Sequence, residues 1–363
     1  MKKVILISWY FEPDSRVGGK RIAYWFDYLK HSEGVECHAI TGFEGADGDN
    51  LHVVMPDDKN RFLYKFFKFD PSARWIAPLK RFIRYKADLF EDADAVIMTG
   101  GPFVYFILSR YIKSVSNATI IMDYRDPYSM NPLTKSNLIK NLIKKALEKR
   151  FIQNADAIIS VNRFCFKYIC APSKVKTFVI DNGYDEKIFS SVSAKSHVEN
   201  AICYKLCYVG KFGSGRDAAA LVGKVLGSSD ITLEYAGTER LPESENIGHN
   251  GVLPYAEALD LINSCDAGII FVEGLDFEST TKVFDYIAKR KPILVIMNKS
   301  LVEGSLIDIS KRYPFIVFSR NNSADLTVAI SALKRVRVPG DFDISSFARM
   351  AGAEKLLAVL SEV

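Results

Sequence analysis

The sequence predicts an α/β protein built from two doubly wound parallel sheets, and three features carry that prediction. Short apolar runs alternate with helical segments along almost the whole chain. The runs are "VILISWY", "ECHAIT", "LHVVM", "DAVIMTG", "TIIMDY", "ADAIISV" and "TFVID" before residue 185, then "KLCYVG", "ITLEYAG", "AGIIFV", "PILVIM" and "FIVF" after it. They are continuous and rich in Val and Ile, so they read as strands buried on both faces, which places helices on both sides of each sheet. Between the two series, "YDEKIFSSVSAKSHVENAICY" has a Ser- and Ala-rich middle with little periodicity. A first domain is therefore expected at residues 1–186, a linker at 187–202, a second domain at 203–340 and a terminal amphipathic helix at 341–363, after the Pro339-Gly340 break.

The totals agree with this division. A chain of 363 residues can bury two cores of ordinary size, and 48 % hydrophobic, 12 % aromatic and 25 % charged residues are those of a soluble globular protein. The opening apolar run before Glu12-Pro13 is about seven residues, which suits a first strand and not a signal h-region. No segment approaches the roughly 18 uninterrupted apolar residues of a membrane span. Cys37, Cys165, Cys170, Cys203, Cys207 and Cys265 are scattered without a CxxC pair, which predicts reduced thiols in a cytoplasmic protein. Five histidines without HExxH or a His/acid cluster predict no metal site.

The net charge of +5 is unevenly spread. Residues 61–86, "RFLYKFFKFDPSARWIAPLKRFIRYK", hold eight Lys or Arg and eight aromatic residues against the single acid Asp70. Lys65, Lys68, Arg74, Trp75, Arg81 and Arg84 lie in it. A second basic stretch, "KSNLIKNLIKKALEKR", sets Leu138, Leu142 and Ala146 on one helical face with Lys140 and Lys144 beside them. Cations with aromatic or apolar residues suit an anionic lipid surface; two solvated helices on a core are the alternative. No nucleic-acid motif accompanies them.

In open α/β sheets ligands sit beyond the carboxyl ends of strands, so the loops after strands are where chemistry is expected. In "ESTTKVFDYIAKRKPILVI" the hydroxyls of Ser279, Thr280 and Thr281 are N-cap types at a helix start. Val283, Phe284 and Ile287 face the core, which leaves Lys282 and Asp285 on the open side. Helix-start N–H groups bind phosphate, and a carboxylate one turn on can hold the two hydroxyls of a ribose; a capped surface helix with an i,i+3 ion pair is the alternative. In "CYVGKFGSGRDAAALV", Gly210 ends a strand and a glycine-rich loop carries Lys211 and Arg216, cations able to neutralise a diphosphate. Gly18 and Gly19 open a helix in "WYFEPDSRVGGKRIAYWFDYL". "TGGP" and "DYRDPY" follow further strands, and the second contains Arg125 and Asp126.

In order and spacing, "YFEPDSRVGGKR", "TGGP", "DYRDPY", "DNGYDEKIF", "YVGKFGSGRD", "GVLPYAEALDLINSCDAGIIF" and "TTKVFDYIAKRKPI" resemble family 4 of the retaining glycosyltransferases of GT-B fold, especially the bacterial surface-polysaccharide branch. The resemblance covers nearly the whole chain. It implies two Rossmann-like domains facing an interdomain cleft, a nucleotide-sugar donor held by the second, a glycan or lipid-linked glycan acceptor by the first, and a terminal helix returning to the first. It implies no cofactor and no metal, with cations and helix ends at the diphosphate. Carried over, Gly18 and Gly19 face the donor, Gly210, Lys211 and Arg216 meet the diphosphate, and Gly251, Val252 and Leu253 border the base. Ser279, Thr280, Thr281 and Lys282 lie at the phosphates, Asp285 takes the ribose, and Arg125 and Asp126 occupy the place of a histidine beside the transferred sugar. Two positions depart from the family. Its usual pair of glutamates is represented by Asp285 with either Glu278 or Glu273, and the glycine usual before Lys-Pro is Arg290.

These implications make the expected protein a transferase of lipopolysaccharide, capsule or exopolysaccharide synthesis, attached peripherally to the inner membrane, with a nucleotide sugar and no nucleic acid as partner. An inverting enzyme with Asp126 as base, a nucleotide-sugar epimerase and an inactive nucleotide-sugar-binding subunit are the rival expectations.

Overall fold

A computed structural model describes residues 1–13, 17–57, 70–134, 137–170, 174–190, 203–212 and 217–363. Lys65, Lys68, Arg216 and residues 191–202 of the expected linker lie outside these residues. The chain divides into two compact units, Met1–Asn182 with Arg349–Val363, and Gly183–Ala348.

The first unit contains a sheet in the order β3-β2-β1-β4-β5-β6-β7. Its strands are β1 Lys2–Ser8, β2 Val35–Thr41, β3 Leu51–Val53, β4 Ala95–Thr99, β5 Thr119–Tyr124, β6 Ala157–Ser160 and β7 Lys176–Val179, and every pairing is parallel. All five residues of β4 and all four of β6 are buried, which is why their sequences show no alternation. The helix Val17–Lys30 covers one face and is itself covered by the terminal helix Arg349–Glu362, whose Ala353, Leu356, Val359 and Leu360 join Ile22, Trp25, Phe26 and Leu29 in one core. The Lys2 ammonium donates to the Leu360 carbonyl and fixes the terminal helix against β1.

A buried cation ties this unit together. Arg21, on the Val17–Lys30 helix, is 5 % exposed and lies against fully buried Asp123 of β5 at 3.3 Å. Its guanidinium also donates to the carbonyls of Ile180 and Asp181 (2.9 and 3.0 Å) and to Asn182 Oδ1 (3.1 Å), and stacks on Trp25. Burial lowers its pKa, and Asp123 opposes that shift.

Of the basic-aromatic segment, residues 70–86 are described. Trp75 is fully buried, donates from Nε1 to the Val54 carbonyl at 2.6 Å, and packs on Trp9 and Tyr105. It is a core residue and not a surface anchor, because its polar edge finds a backbone partner inside the domain. Arg74 is half-buried. Arg81 and Arg84 are exposed on the helix Ile76–Tyr85, which turns Pro78, Leu79 and Ile83 inward.

The second unit has a sheet in the order β10-β9-β8-β11-β12-β13, again all parallel. Its strands are β8 Tyr204–Val209, β9 Ile231–Ala236, β10 Ile247–His249, β11 Ala267–Val272, β12 Ile293–Met297 and β13 Ile316–Arg320. The helices Ala219–Leu226 and Ser323–Leu333 pack on one face, and Tyr255–Ser264, Lys282–Ala288 and Ser305–Arg312 on the other. Ile188 and Phe189, expected in the linker, pack in the second core from the helix Glu186–Ser190. Among the described residues, no helix is long and apolar enough to cross a membrane.

Replacing Arg21 with Leu leaves the Asp123 carboxylate buried without its charge partner, and urea unfolding of the variant is expected to show a loss of about 3–5 kcal/mol. The double variant Arg21→Leu/Asp123→Leu recovers part of that loss. Equal stability of the single variant and the wild type would contradict the role assigned to the pair.

Candidate functional site

Each sheet reverses its strand order once. β1 lies between β2 and β4 in the first unit, and β8 between β9 and β11 in the second. The loops leaving these strand pairs diverge to opposite faces, which opens a crevice at the carboxyl ends. Gly18 and Gly19 follow β1 at the first reversal, and Gly210, Lys211 and residues 278–285 follow β8 and β11 at the second.

In the first unit, Arg125 follows β5 and joins the two loops. Its Nη2 donates to the carbonyls of Gly100 and Gly101 at 2.6 and 2.9 Å, and Nε to that of Gly100 at 3.1 Å. The guanidinium presses on Gly18, where a Cβ would lie 2.4 Å from Nη1. Gly19 packs against the Phe11 backbone, with a Cβ 3.1 Å from its carbonyl. Both glycines are buried, so they serve close packing at the helix start and are not an open array of donors. Arg125 is turned to these carbonyls, and Asp126 is solvent-accessible but crowded by protein, which raises its pKa by desolvation while Arg125 opposes the shift.

In the second unit, β8 ends at Gly210, whose φ of +148° favours glycine. The end of the Lys282 side chain lies close over this residue, with a Cβ placed there 2.7 Å from Cε and 3.0 Å from Nζ. Gly210 and the start of the helix Lys282–Ala288 therefore meet at the reversal, with the Lys282 ammonium over bare backbone. The Lys211 side chain is exposed, and its carbonyl accepts from Tyr208 Oη at 2.8 Å. Tyr208, Phe212 and Tyr235 stack beneath this loop with ring centroids 4.6 and 4.7 Å apart.

The helix is held in place by Tyr286 and Asp285. Tyr286 is fully buried; its hydroxyl reaches the carbonyls of Cys207 in β8 and Ile269 in β11 at 3.2 and 3.1 Å. Its ring fills the space over Gly268, where a Cβ would approach within 2.4 Å. Burial holds this phenol protonated by raising its pKa well above the ordinary tyrosine value. Asp285, half-buried one residue earlier, accepts from Tyr255 Oη at 2.7 Å. Tyr255 opens the helix Tyr255–Ser264, separated from Gly251, Val252 and Leu253 by the cap residue Pro254. Gly251 has φ +63° and Val252 is 72 % exposed.

The hydroxyls at the helix start behave differently from expectation. Thr281 holds the cap position with helical φ and ψ of −63° and −21°, and its side chain makes no capping bond. Thr280 Oγ1 accepts weakly from the Lys282 N–H at 3.4 Å, and Ser279 is half-buried beside it. The loop is organised by Glu278, whose carboxylate accepts from the N–H groups of Glu273, Gly274 and Leu275 at 3.1, 2.8 and 2.7 Å. Glu278 thus shapes the backbone around Gly274, and Glu273 is bound by Asn298 Nδ2 at 2.8 Å and Lys299 at 3.5 Å. Both acids weighed for the sugar are engaged by the protein, Glu278 within this loop and Glu273 by residues that follow β12.

Sequence reasoning missed Tyr255, Tyr286 and the cradle at Gly268. Tyrosines in helices read as core, and only the distance from their hydroxyls to specific acceptors gives them a role. Glu278→Ala removes three charge-assisted bonds, so it is expected to lower stability by about 1–3 kcal/mol in urea unfolding and to raise amide exchange at Gly274 and Leu275. Unchanged exchange there would contradict the role of the carboxylate.

No protein-family model and no curated protein matches the sequence. Solved structures do match its fold. Sucrose-phosphate synthase of Thermosynechococcus elongatus superposes with a TM-score of 0.66 at 12 % identity, covering 99 % of this chain and 95 % of that one. Anabaena HepE in complex with UDP and glucose gives 0.66 at 11 %, covering 100 % of both chains. UDP-GlcNAc 2-epimerase from Neisseria meningitidis, bound to UDP-GlcNAc, gives 0.59 at 9 %, also covering 100 % of both. With its two parallel α/β sheets, the chain has the GT-B fold of two Rossmann-like domains.

Proposed function

We propose that the protein is a retaining glycosyltransferase that moves a sugar from a nucleotide-diphosphate sugar to a hydroxyl of a glycan acceptor. The observation that carries this reading is the meeting of Gly210 and Lys282 at the reversal of the second sheet, with Asp285 behind them. A diphosphate resting on the Gly210 backbone has the Lys282 ammonium beside it, with Lys211 next in the chain and Arg216 six positions after Gly210. Asp285, oriented by Tyr255, then accepts from the ribose hydroxyls, and the Gly251–Leu253 backbone borders the base. Complexes of structures with this fold contain UDP with glucose or UDP-GlcNAc, which makes UDP the nucleotide to test first.

The chemistry follows from charge. Breaking the anomeric C–O bond builds negative charge on the departing diphosphate, and fixed cations stabilise that charge more in the transition state than in the ground state. The acceptor hydroxyl attacks from the side of the leaving group, and the departing phosphate oxygen takes its proton. No protein nucleophile is required, and no divalent ion is used at the diphosphate. Glu278 and Glu273 serve the geometry of their own unit in this reading. The motif order of the surface-polysaccharide branch favours a lipid-linked glycan in lipopolysaccharide, capsule or exopolysaccharide synthesis as acceptor, used at the inner membrane surface.

Thermal unfolding with UDP and UDP-sugars tests the reading. A donor at a hundred times its Kd stabilises by about 2.7 kcal/mol. Asp285→Asn is expected to weaken donor binding about tenfold or more, and Lys282→Ala to lower kcat about a hundredfold, with transfer unaffected by EDTA. An inverted product anomer, seen by NMR, would move the reading to an inverting enzyme with Asp126 as base. Interconversion of donors without acceptor would make it an epimerase. Binding without turnover would leave a nucleotide-sugar-binding subunit.

A further inference from the structure

The helix Leu138–Ile152 has two apolar faces, and only one is used by the fold. Leu147, Phe151 and Ile152 are buried together with Glu148, which holds the carboxyl-terminal half against the first unit. At about 100° per residue, Leu138, Ile139, Leu142 and Ile143 lie on the far side of the helix from that packed face. They are 82, 69, 67 and 40 % exposed, and Leu133, just before the helix, is 46 % exposed. A helix that only covered a core would present polar residues there.

Charge identifies what this face meets. Lys145 and Lys149 run along one edge of the exposed apolar arc and Lys140 lies on the other, while Arg150 follows it toward the carboxyl end. The one acid of the helix, Glu148, is fully buried, accepting from Ser129 Oγ and from the Cys170 N–H. Every charged group that the helix presents to solvent is therefore a cation. A protein partner selected by apolar contact alone does not require that one-sided charge. An anionic bilayer does, since its acyl boundary receives the apolar arc while the headgroups pair with lysines at the edges. Lys144 is set apart from this edge: its ammonium lies over the Tyr128 ring at 5.5 Å and burial lowers its pKa.

We infer that the amino-terminal half of the Leu138–Ile152 helix inserts into the headgroup region of an anionic lipid leaflet, with Leu138, Ile139, Leu142 and Ile143 as the inserted side chains. The inference rests on the proposed function only in that a lipid-linked acceptor brings the protein to a bilayer. It also moves the membrane contact away from Trp75, which is core.

The full chain sedimented with phosphatidylcholine vesicles, with and without phosphatidylglycerol, provides the test. Wild type is expected to bind the anionic vesicles, and Ile139→Glu/Leu142→Glu to bind at least about tenfold less. Lys145→Glu/Lys149→Glu is expected to lose about as much. A Leu142→Trp variant is expected to show blue-shifted emission on binding and quenching by brominated lipid. These positions are exposed, so thermal unfolding of the variants stays at the wild-type value. Wild type left in the supernatant at low salt, equal binding by the Ile139/Leu142 variant, or unshifted emission from the Leu142→Trp variant would each overturn the inference. So would self-association of the wild type that the Ile139/Leu142 variant abolishes, which would make the face a contact between copies. UDP-sugar thermal shifts on the Ile139/Leu142 variant separate this question from the transferase reading, because an intact shift with lost vesicle binding concerns the surface alone.

Discussion

The second unit's site depends on the close approach of the Lys282 side chain to the Gly210 backbone at the end of β8. β8 must end at the reversal of the sheet, and the helix after β11 must begin close enough to cross its carboxyl end. Gly210, without a Cβ and at φ +148°, leaves room for the end of the Lys282 side chain on that backbone. Tyr286 sets the distance from below, with its ring over Gly268 and its hydroxyl between the carbonyls of β8 and β11. The helix is thus pinned by one buried tyrosine between two glycine contacts, and Lys282 and Asp285 inherit their positions from that arrangement.

The first unit uses the same physical device with a different cation. There Arg125 lies on Gly18 and reaches the carbonyls of Gly100 and Gly101. A planar guanidinium satisfies several acceptors at once, which a lysine ammonium on a flexible stem does less well. At each reversal, then, a long basic side chain crosses a glycine to connect loops that leave neighbouring strands in opposite directions. The difference lies in the partner: Arg125 is turned to backbone carbonyls, and Lys282 sits where β8 gives way to Gly210 and exposed Lys211.

Much of this is legible in the sequence because buried parallel strands are continuous apolar runs. All seven strands of the first sheet coincide with such runs, and five of the six in the second. β10 escapes because Ile247–His249 is three residues long and contains only one buried apolar side chain. The helix Val17–Lys30 hides its inward face, since the sheet covers one side and the terminal helix the other, leaving no polar stripe to read. Glycines and cations after strands are found by position, but their partners are not. Whether Arg125 pairs with Asp126 or with carbonyls depends on where "TGGP" falls in space. Glu278 reads as a ligand residue because a carboxylate in a loop after a strand looks the same whether it faces substrate or its own backbone.

Charge is where composition misleads most. Arg21 is committed to Asp123, Asn182 and the carbonyls of Ile180 and Asp181, and Arg125 to those of Gly100 and Gly101. Lys291, 4 % exposed, donates to the carbonyls of Asn263 and Cys265. Arg290 stands in the left-handed region at φ +52° where relatives of the resembled family carry glycine. Holding a non-glycine residue there costs about 1 kcal/mol, which its bonds to the carbonyls of Phe342 and Pro339 at 2.6 and 3.3 Å offset. Those bonds tie the end of the Lys282–Ala288 helix to the segment that leads into the terminal helix. The left-handed turn at position 290 is thus held by a side chain that binds elsewhere in the same unit. A cation counted from sequence as positive potential is, at each of these four places, a cross-link between backbone segments.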